Sequence, residues 1–503
     1  MLIPIIGLEI HMRLKTASKM FCTCPNVSDD TPVNTAICPV CTGQPGALPA
    51  VNEEAVRLGV RAALALDCRI PDEAHFDSKN YFYPDLPKGY QISQFDFPIS
   101  VDGAVTIDVP GQTSPRDRVR IGITRAHLEE DAAKNIHDAK TGKTLVNYNR
   151  GGNPLLEIVT EPDLRSPLEA KLFLQELQAM MRAIHASEAD MEKGYMRCDA
   201  NVSILEIDDE HKPVRAGGLN PKVEVKNLNS FKAVERALAF EIDRQAQLYV
   251  DGKLAEHSTR GWDENKGETF EQRLKETSAD YRYFPEPDLP PLMLKAIAKE
   301  EKQTLPELPA QTRLRLMEEW GFVADDARVL VQNGWTDFAE AVMGELIVWE
   351  DDTNKKGETV NKKALAKLTG SWLINKLSAI LSEKHQTLED VKFDAENFAE
   401  FIHLVHDKIV NSANAQKLLT LMVQTGADPS HLMEEHNLGQ QEDPKLIADT
   451  VARLIEQNPD QVKQIRAGKL GIIKWFVGGV MKATEGRANP EKAEEEVKKQ
   501  LGI

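Results

Sequence analysis

From Leu8 to Leu14 the chain alternates strictly: Leu8, Ile10, Met12 and Leu14 share one parity, and Glu9, His11 and Arg13 the other. Successive side chains of a β-strand point to opposite faces, so this period predicts a strand with one apolar and one ionisable face. A single exposed strand can carry such charges without purpose. Here the pattern returns. In Met196–Ile204 the polar parity holds Arg197, Asp199, Asn201 and Ser203, and in Lys222–Lys226 it holds Lys222, Glu224 and Lys226. Three such segments predict a sheet whose polar face is a wet surface suited to a hard cation and phosphates.

At 503 residues the chain is long enough for roughly three domains. No apolar run approaches the ~20 residues that span a bilayer, and Met1-Leu2-Ile3-Pro4 leads straight into a strand without a signal or transit segment. A cytoplasmic protein with no membrane association is expected. The net charge of −18 argues against broad nonspecific nucleic-acid binding but not against a local basic patch.

Four of the six cysteines cluster as Cys22-Thr23-Cys24 and Cys38-Pro39-Val40-Cys41. Two close pairs joined by a loop suit a tetrahedral thiolate site for structural Zn²⁺, in an insertion spanning residues 22–41. With four sulfurs the ion would have no open position for catalysis. Four reduced thiols in a loop are the alternative.

A helix is expected from about Glu53 to Leu66, followed by the aromatic stretch Asp77–Asp85, whose rings either stack on a base or pack a β-domain. Residues 100–161 read as short strands and turns. Val119–Thr124 alternates into the acid run Glu129-Glu130-Asp131, and Glu157 and Glu161 share one side of a later strand. Thr141-Gly142-Lys143-Thr144 imitates the end of a P-loop, but His137 occupies the required glycine position, so any ATP must be held by another route. Helices are expected from Ser166-Pro167 to about His185 and from Ser230 to about Val250.

After the proline-rich Asp280–Pro291 the character turns helical, with an amphipathic stripe of Phe398, Phe401, Ile402, Val405 and Ile409. Glu350–Lys363 reads as an exposed, charged loop. Between Gln461 and Arg487 the charge reverses: Lys463, Arg466, Lys469, Lys474, Lys482 and Arg487 stand against Glu485. A basic, glycine-punctuated tail on an acidic protein suggests contact with a nucleic-acid backbone, with an ordinary solvated helix face as the alternative.

Several blocks carry a family resemblance. Gly7-Leu8-Glu9-Ile10-His11, Lys79–Asp85, Tyr90–Phe95, His127–Asp131, Arg197–Asn201 and Asp280–Asp288 resemble the B subunits of the heterotrimeric aspartyl/glutamyl-tRNA(Asn/Gln) amidotransferases, in order along nearly the whole chain. The resemblance implies an α+β architecture: an antiparallel β-rich cradle over 1–291, an all-α helical domain over 292–425 and a small tRNA-binding tail domain over 426–503. It implies an ATP- and Mg²⁺-dependent ligase working with the amidase (A) and small (C) subunits of the heterotrimer. The B subunit phosphorylates the side-chain carboxylate of misacylated Glu-tRNA(Gln) or Asp-tRNA(Asn), and ammonia released by the amidase then displaces the phosphate.

On this reading His11, Glu130 and Glu157 are catalytic, and Glu9 and Asp199 join them around Mg²⁺. Oxygen donors suit Mg²⁺. His11 matches the family's metal-site histidine, although a softer ion or a role through water would also suit an imidazole. Lys79, Tyr81, Arg197, Asn201 and Lys226 are the candidates for ATP or substrate, and Lys469, Lys474, Lys482 and Arg487 for tRNA. From the residues alone, the competing classes are a stand-alone metal hydrolase and a noncatalytic tRNA-binding subunit.

Overall fold

The computed structural model describes the chain except residues 29, 112–115, 139, 209–213, 215–218, 275–280, 354–360, 440–443 and 485–487. The described chain divides into two compact units, Met1–Pro309 and Ala310–Ile503. The first is built on eight strands: β1 (Leu2–Arg13), β2 (Ser100–Asp108), β3 (Arg118–Glu130), β4 (Pro154–Thr160), β5 (Met196–Glu206), β6 (Val223–Leu228), β7 (Ser258–Asp263) and β8 (Glu268–Leu274). They form one sheet in the order β8-β7-β6-β5-β1-β4-β3-β2. The β6–β7 pair is parallel and every other pair antiparallel.

Alternation in β1 decides which face is covered. Leu8, Ile10, Met12 and Leu14 are at most 1% exposed and share one core with helices α1 (Glu53–Ala65), α2 (Pro167–Ala183) and α3 (Phe231–Val250). Each helix starts at a side-chain cap, where Asn52, Ser166 and Ser230 accept hydrogen bonds from the backbone N–H of Ala55, Glu169 and Ala233. The helix Leu294–Thr304 belongs to this unit, since Arg57 donates to Glu300 at 2.9 Å and Arg61 to Glu301 at 2.7 Å.

Residues 100–161 differ from the expected short strands: β2 and β3 run 9 and 13 residues. An irregularity between Ile123 and Arg125, in the pairing of β3 with β4, resets the alternation of β3. Val119, Ile121 and Ile123 are buried before it; Ala126 and Leu128 are buried after it. The P-loop look-alike is the turn of a separate hairpin, Lys134–Asp138 with Lys143–Asn147, where Thr141 donates to Asp138.

The second unit contains two separate buried clusters, one from Leu316 to Leu438 and one from Ile447 to Leu501. Helix Ala395–His406 buries Phe398, Phe401 and Ile402 as its stripe predicts, but it ends before Ile409, which is 37% exposed. Helices Thr336–Thr353 and Lys362–Gly370 enter the Glu350–Lys363 segment from either side, and its middle lies outside the described residues. Among the described residues no helix is long and apolar enough to cross a membrane.

Candidate active site

Sheet register assembles the site. His127 on β3 pairs with Glu157 on β4, Glu157 with His11 on β1, and His11 with Arg197 on β5, one row across four strands. Glu9, two residues from His11 on the same face, pairs with Asp199. His11 Nε2 lies 3.3 Å from Glu129 Oε1 and 3.4 Å from Glu157 Oε2; His127 Nε2 is also 3.4 Å from Glu157 Oε2. Glu9, His11, Glu129 and Glu157 open onto a cavity of about 380 Å³ whose lining includes Lys79, Tyr81, Arg197, Asp199 and Lys226, with His127 buried behind them.

Charge is dense here. Burial alone would push the Glu157 carboxyl up, but the neighbouring His127 and His11 imidazoles hold it well below the carboxylate range. Burial disfavours the charged form of His11, yet hydrogen bonds to Glu129 and Glu157 raise its pKa well above the ordinary imidazole value. Burial and the Glu157 charge raise Glu9. Burial disfavours the charged form of Lys79, but Glu129, Glu157, Tyr281 and Tyr283 together raise its pKa, and its ammonium lies 4.7 Å from the centre of the Tyr281 ring. Lys226 pairs with Asp199 and lies 2.9 Å from Glu224.

Two donor groups share Glu157: Glu9, His11 and Glu157, and His127, Glu129 and Glu157. In each, the donor atoms lie within 4.8 Å of one another, so the residues fit a divalent cation. Oxygen donors and mixed imidazole are compatible with Mg²⁺ or Mn²⁺. A cation must displace the His11 proton, so cation affinity is expected to rise with pH through and above the ordinary imidazole range. Calorimetry in buffers of different ionisation enthalpy should register proton release on binding. The sign for stability is opposite. A raised His11 pKa stabilises the cation-free fold fully below about pH 6.5, and that contribution fades as pH rises through the folded value.

The structure brings Glu9, His11, Glu157, Asp199, Lys79, Tyr81, Arg197 and Lys226 to this cavity, but not Glu130 or Asn201. Glu130 lies on the opposite face of β3, where it pairs with Lys88 and accepts the Ile92 N–H at 2.9 Å. Its neighbour Glu129 takes the position at the site. Parity counted from the apolar Leu128 would have shown this: Glu130 shares the face of Leu128, while His127, Glu129 and Asp131 share the other. Asn201 has the right parity, but it sits farther along β5, opposite Gly7 and Glu224. Glu161 lies at the end of β4, where it accepts from Thr124 at 2.7 Å.

Cys22, Cys24, Cys38 and Cys41 form a second centre, with all four sulfurs within 4.8 Å of one another. A tetrahedron of Zn–S bonds near 2.3 Å has S···S edges of about 3.8 Å, so little adjustment closes it. The Cys41 thiol is drawn down to about 4, chiefly by its hydrogen bond with Cys22 and helped by the Lys19 ammonium. Gly43 is required beside the node: its φ is +67°, and a Cβ there would lie 2.9 Å from the Lys88 backbone.

In the tail, Lys469, Lys474 and Lys482 are exposed, the last two on helix Ile473–Ala483, and Trp475 beside Lys474 is 50% exposed. Arg487 lies outside the described residues.

The sheet has one covered face and one face of paired imidazoles, carboxylates and cations, a donor set that fits a divalent cation beside anionic groups. Residues 4–300 match the family described as the GatB/GatE catalytic domain, and residues 357–501 match the GatB domain. The B subunit of the aspartyl/glutamyl-tRNA(Asn/Gln) amidotransferase of Thermotoga neapolitana is 42% identical, covering 99% of this chain and 98% of its own length. The proteins of that name from Thermomicrobium roseum and Brevibacillus brevis are 42% and 41% identical, each covering 97% of this chain and 96% of their own length. The chain belongs to the B-subunit family of these amidotransferases.

Proposed function

We propose that the chain is the carboxylate-activating subunit of an ATP-dependent, glutamine-dependent aminoacyl-tRNA amidotransferase, working in the cytoplasm with the amidase (A) and small (C) subunits of a heterotrimer. Its substrate is Glu-tRNA(Gln), Asp-tRNA(Asn) or both. A carboxylate resists amide formation because oxide is a poor leaving group. Attack of the carboxylate oxygen on the γ-phosphorus of ATP releases ADP and leaves an acyl phosphate. Ammonia then adds at the acyl carbon, phosphate departs, and loss of a proton gives the amide.

Both reactants in the first step are anions, and the chain's residues answer that problem. Glu9, His11 and Glu157 would hold Mg²⁺, with Glu129 and His127 beside them. When bound, the ion neutralises phosphate oxygens and helps align donor and acceptor. Lys79, Arg197 and Lys226 present cationic groups to the same cavity, and Arg197 offers a planar fork suited to carboxylate or phosphate. The single observation that supports this reading best is the four-strand row His127–Glu157–His11–Arg197. ATP turnover by the assembled complex should require charged tRNA, Glu-tRNA(Gln) or Asp-tRNA(Asn). ATP turnover that ignores both would remove the proposal.

The thiolate node would carry structural Zn²⁺. The exposed Lys469, Lys474 and Lys482 would contact the tRNA backbone, with the second unit divided into a helical body and a tail that grips RNA. Leu432 and Leu438 pack into the first cluster of that unit, so a clean deletion begins at Pro444 rather than earlier. Deleting 444–503 should weaken binding of charged tRNA and flatten its salt dependence, by ~0.7–0.9 in log–log slope per lost phosphate contact. Titrations at several salt concentrations measure both.

A further inference from the structure

We propose that the four-cysteine node and the reaction cavity form one positioning assembly: the node orders its loop, the loop fixes Arg150, and Arg150 with Asp131 aims Arg197 at the anionic substrate. The proposal rests on the anion-binding role given to Arg197 above, and it makes Arg150 and Asp131 positioning residues.

The cavity end of the chain is explicit. Arg197 Nη2 donates to Asp131 Oδ1 at 2.9 Å, and Asp131 Oδ2 lies 3.4 Å from Arg150 Nε. Asp131 is 6% exposed, and both its carboxylate oxygens face a guanidinium. Arg150 is itself held by the carbonyls of Ala132 and Ala133, each at 3.1 Å. Asp131 dominates the raised pKa of Arg197, but Glu129 and Asp199 also attract it. Without a fixed Asp131, Arg197 has competing acids to turn toward.

The other end reaches the cysteines. Residues 26–41 contain no helix or strand among the described residues, so the loop has no ladder of its own. It is laced instead to the segment just before Arg150, at Asn147, Tyr148 and Asn149. Ala36 N–H donates to Asn149 Oδ1 at 3.0 Å, Asn149 Nδ2 to the Pro32 carbonyl at 2.8 Å, and Tyr148 N–H to Asn34 Oδ1 at 2.6 Å. Lys19, with no exposed surface, places Nζ 3.6 Å from Cys41 Sγ and 3.4 Å from the Tyr148 carbonyl. A loop without regular structure holds these donors and acceptors in place only while its ends are tied, and the node ties them.

The test uses the assembled complex with charged tRNA. Reversible removal of zinc with a chelator, followed by metal analysis, is expected to raise KM for ATP on the order of tenfold or more, the loss of a charge-assisted contact, with kcat changed much less. Restoring Zn²⁺ should reverse the rise. Arg150→Ala, with its zinc content intact, should show the same rise, and chelation of that variant should add nothing further. Asn149→Ala cuts the lacing while leaving the cysteines, so it gives an independent reading if the chelated complex unfolds. Its KM should rise as well. Unchanged KM in Asn149→Ala and Arg150→Ala, multiplicative effects of Arg150→Ala and chelation, or a fall in kcat alone would overturn the proposal. Tightly tRNA-coupled ATP turnover by the wild-type complex in the same assay tests the activation reading separately.

Discussion

Glu157→Gln is expected to abolish amide formation by the assembled enzyme, with a rate loss on the order of 10²–10⁴, while glutamine hydrolysis by the partner continues. The Glu157 carboxylate faces both imidazoles and belongs to both donor groups, so neutralising it weakens either arrangement of the cation. Glutamine keeps the shape and opens no cavity. Extra Mg²⁺ should restore part of the rate. The depressed Glu157 pKa also stabilises the cation-free fold above the ordinary carboxylate range, a contribution lost as pH falls through the folded value. The stability gap between wild type and variant should therefore shrink in acid. Glu129→Gln should resemble Glu157→Gln in the transamidation assay. Glu130→Gln should not, because Glu130 does not line the cavity and pairs with the largely buried Lys88. Breaking that pair should cost on the order of 3 kcal/mol and appear as a lower melting temperature. A catalytic collapse in Glu130→Gln at wild-type stability would reverse the assignment of the two neighbours.

Cys38→Ser should produce the second large effect, loss of bound zinc together with a marked drop in thermal stability. Apparent binding free energies of structural zinc in small domains are about 10–16 kcal/mol at neutral pH, and binding is coupled to folding. The effect here should be smaller than in an isolated zinc finger, because the cradle core does not depend on the metal. Elemental analysis of protein purified without chelator, paired with melting curves, measures both quantities. Protein free of zinc with an unchanged melting temperature would mean that the four thiols are not a metal centre.

Much of the site was legible because sheets obey a period of two. Glu9, His11, Arg197 and Asp199 lie on strands whose apolar parity is unbroken around them, so their common face could be read residue by residue, and Lys226 follows the alternation of Val223 and Val225 just before an irregularity in β6. The cysteines were legible because the close spacing within each pair already restricts the positions of the sulfurs. Glu130 enters with the resemblance and not from parity; the irregularity near Thr124 shifts the parity of β3, so only a count begun beyond it, from Leu128, places Glu129 rather than Glu130 at the cavity. His127 and Asp131 were passed over with Glu129, although both share its parity.

The amino-acid sequence by itself determined the alternating strands, the capped helices, the cysteine pairs and the family, because these depend on short-range geometry or on ordered motifs along the chain. It determined that ionisable residues would share faces, but not which would meet. Only the tertiary structure decided that β4 lies between β1 and β3, so that Glu157 faces His11 on one side and His127 on the other. Strand order and register depend on long-range pairing, which local alternation does not specify. Likewise nothing near Arg150 in the chain announces Asp131 as its partner or the cysteine loop as its support. Those contacts join segments far apart in the chain, which local spacing does not specify.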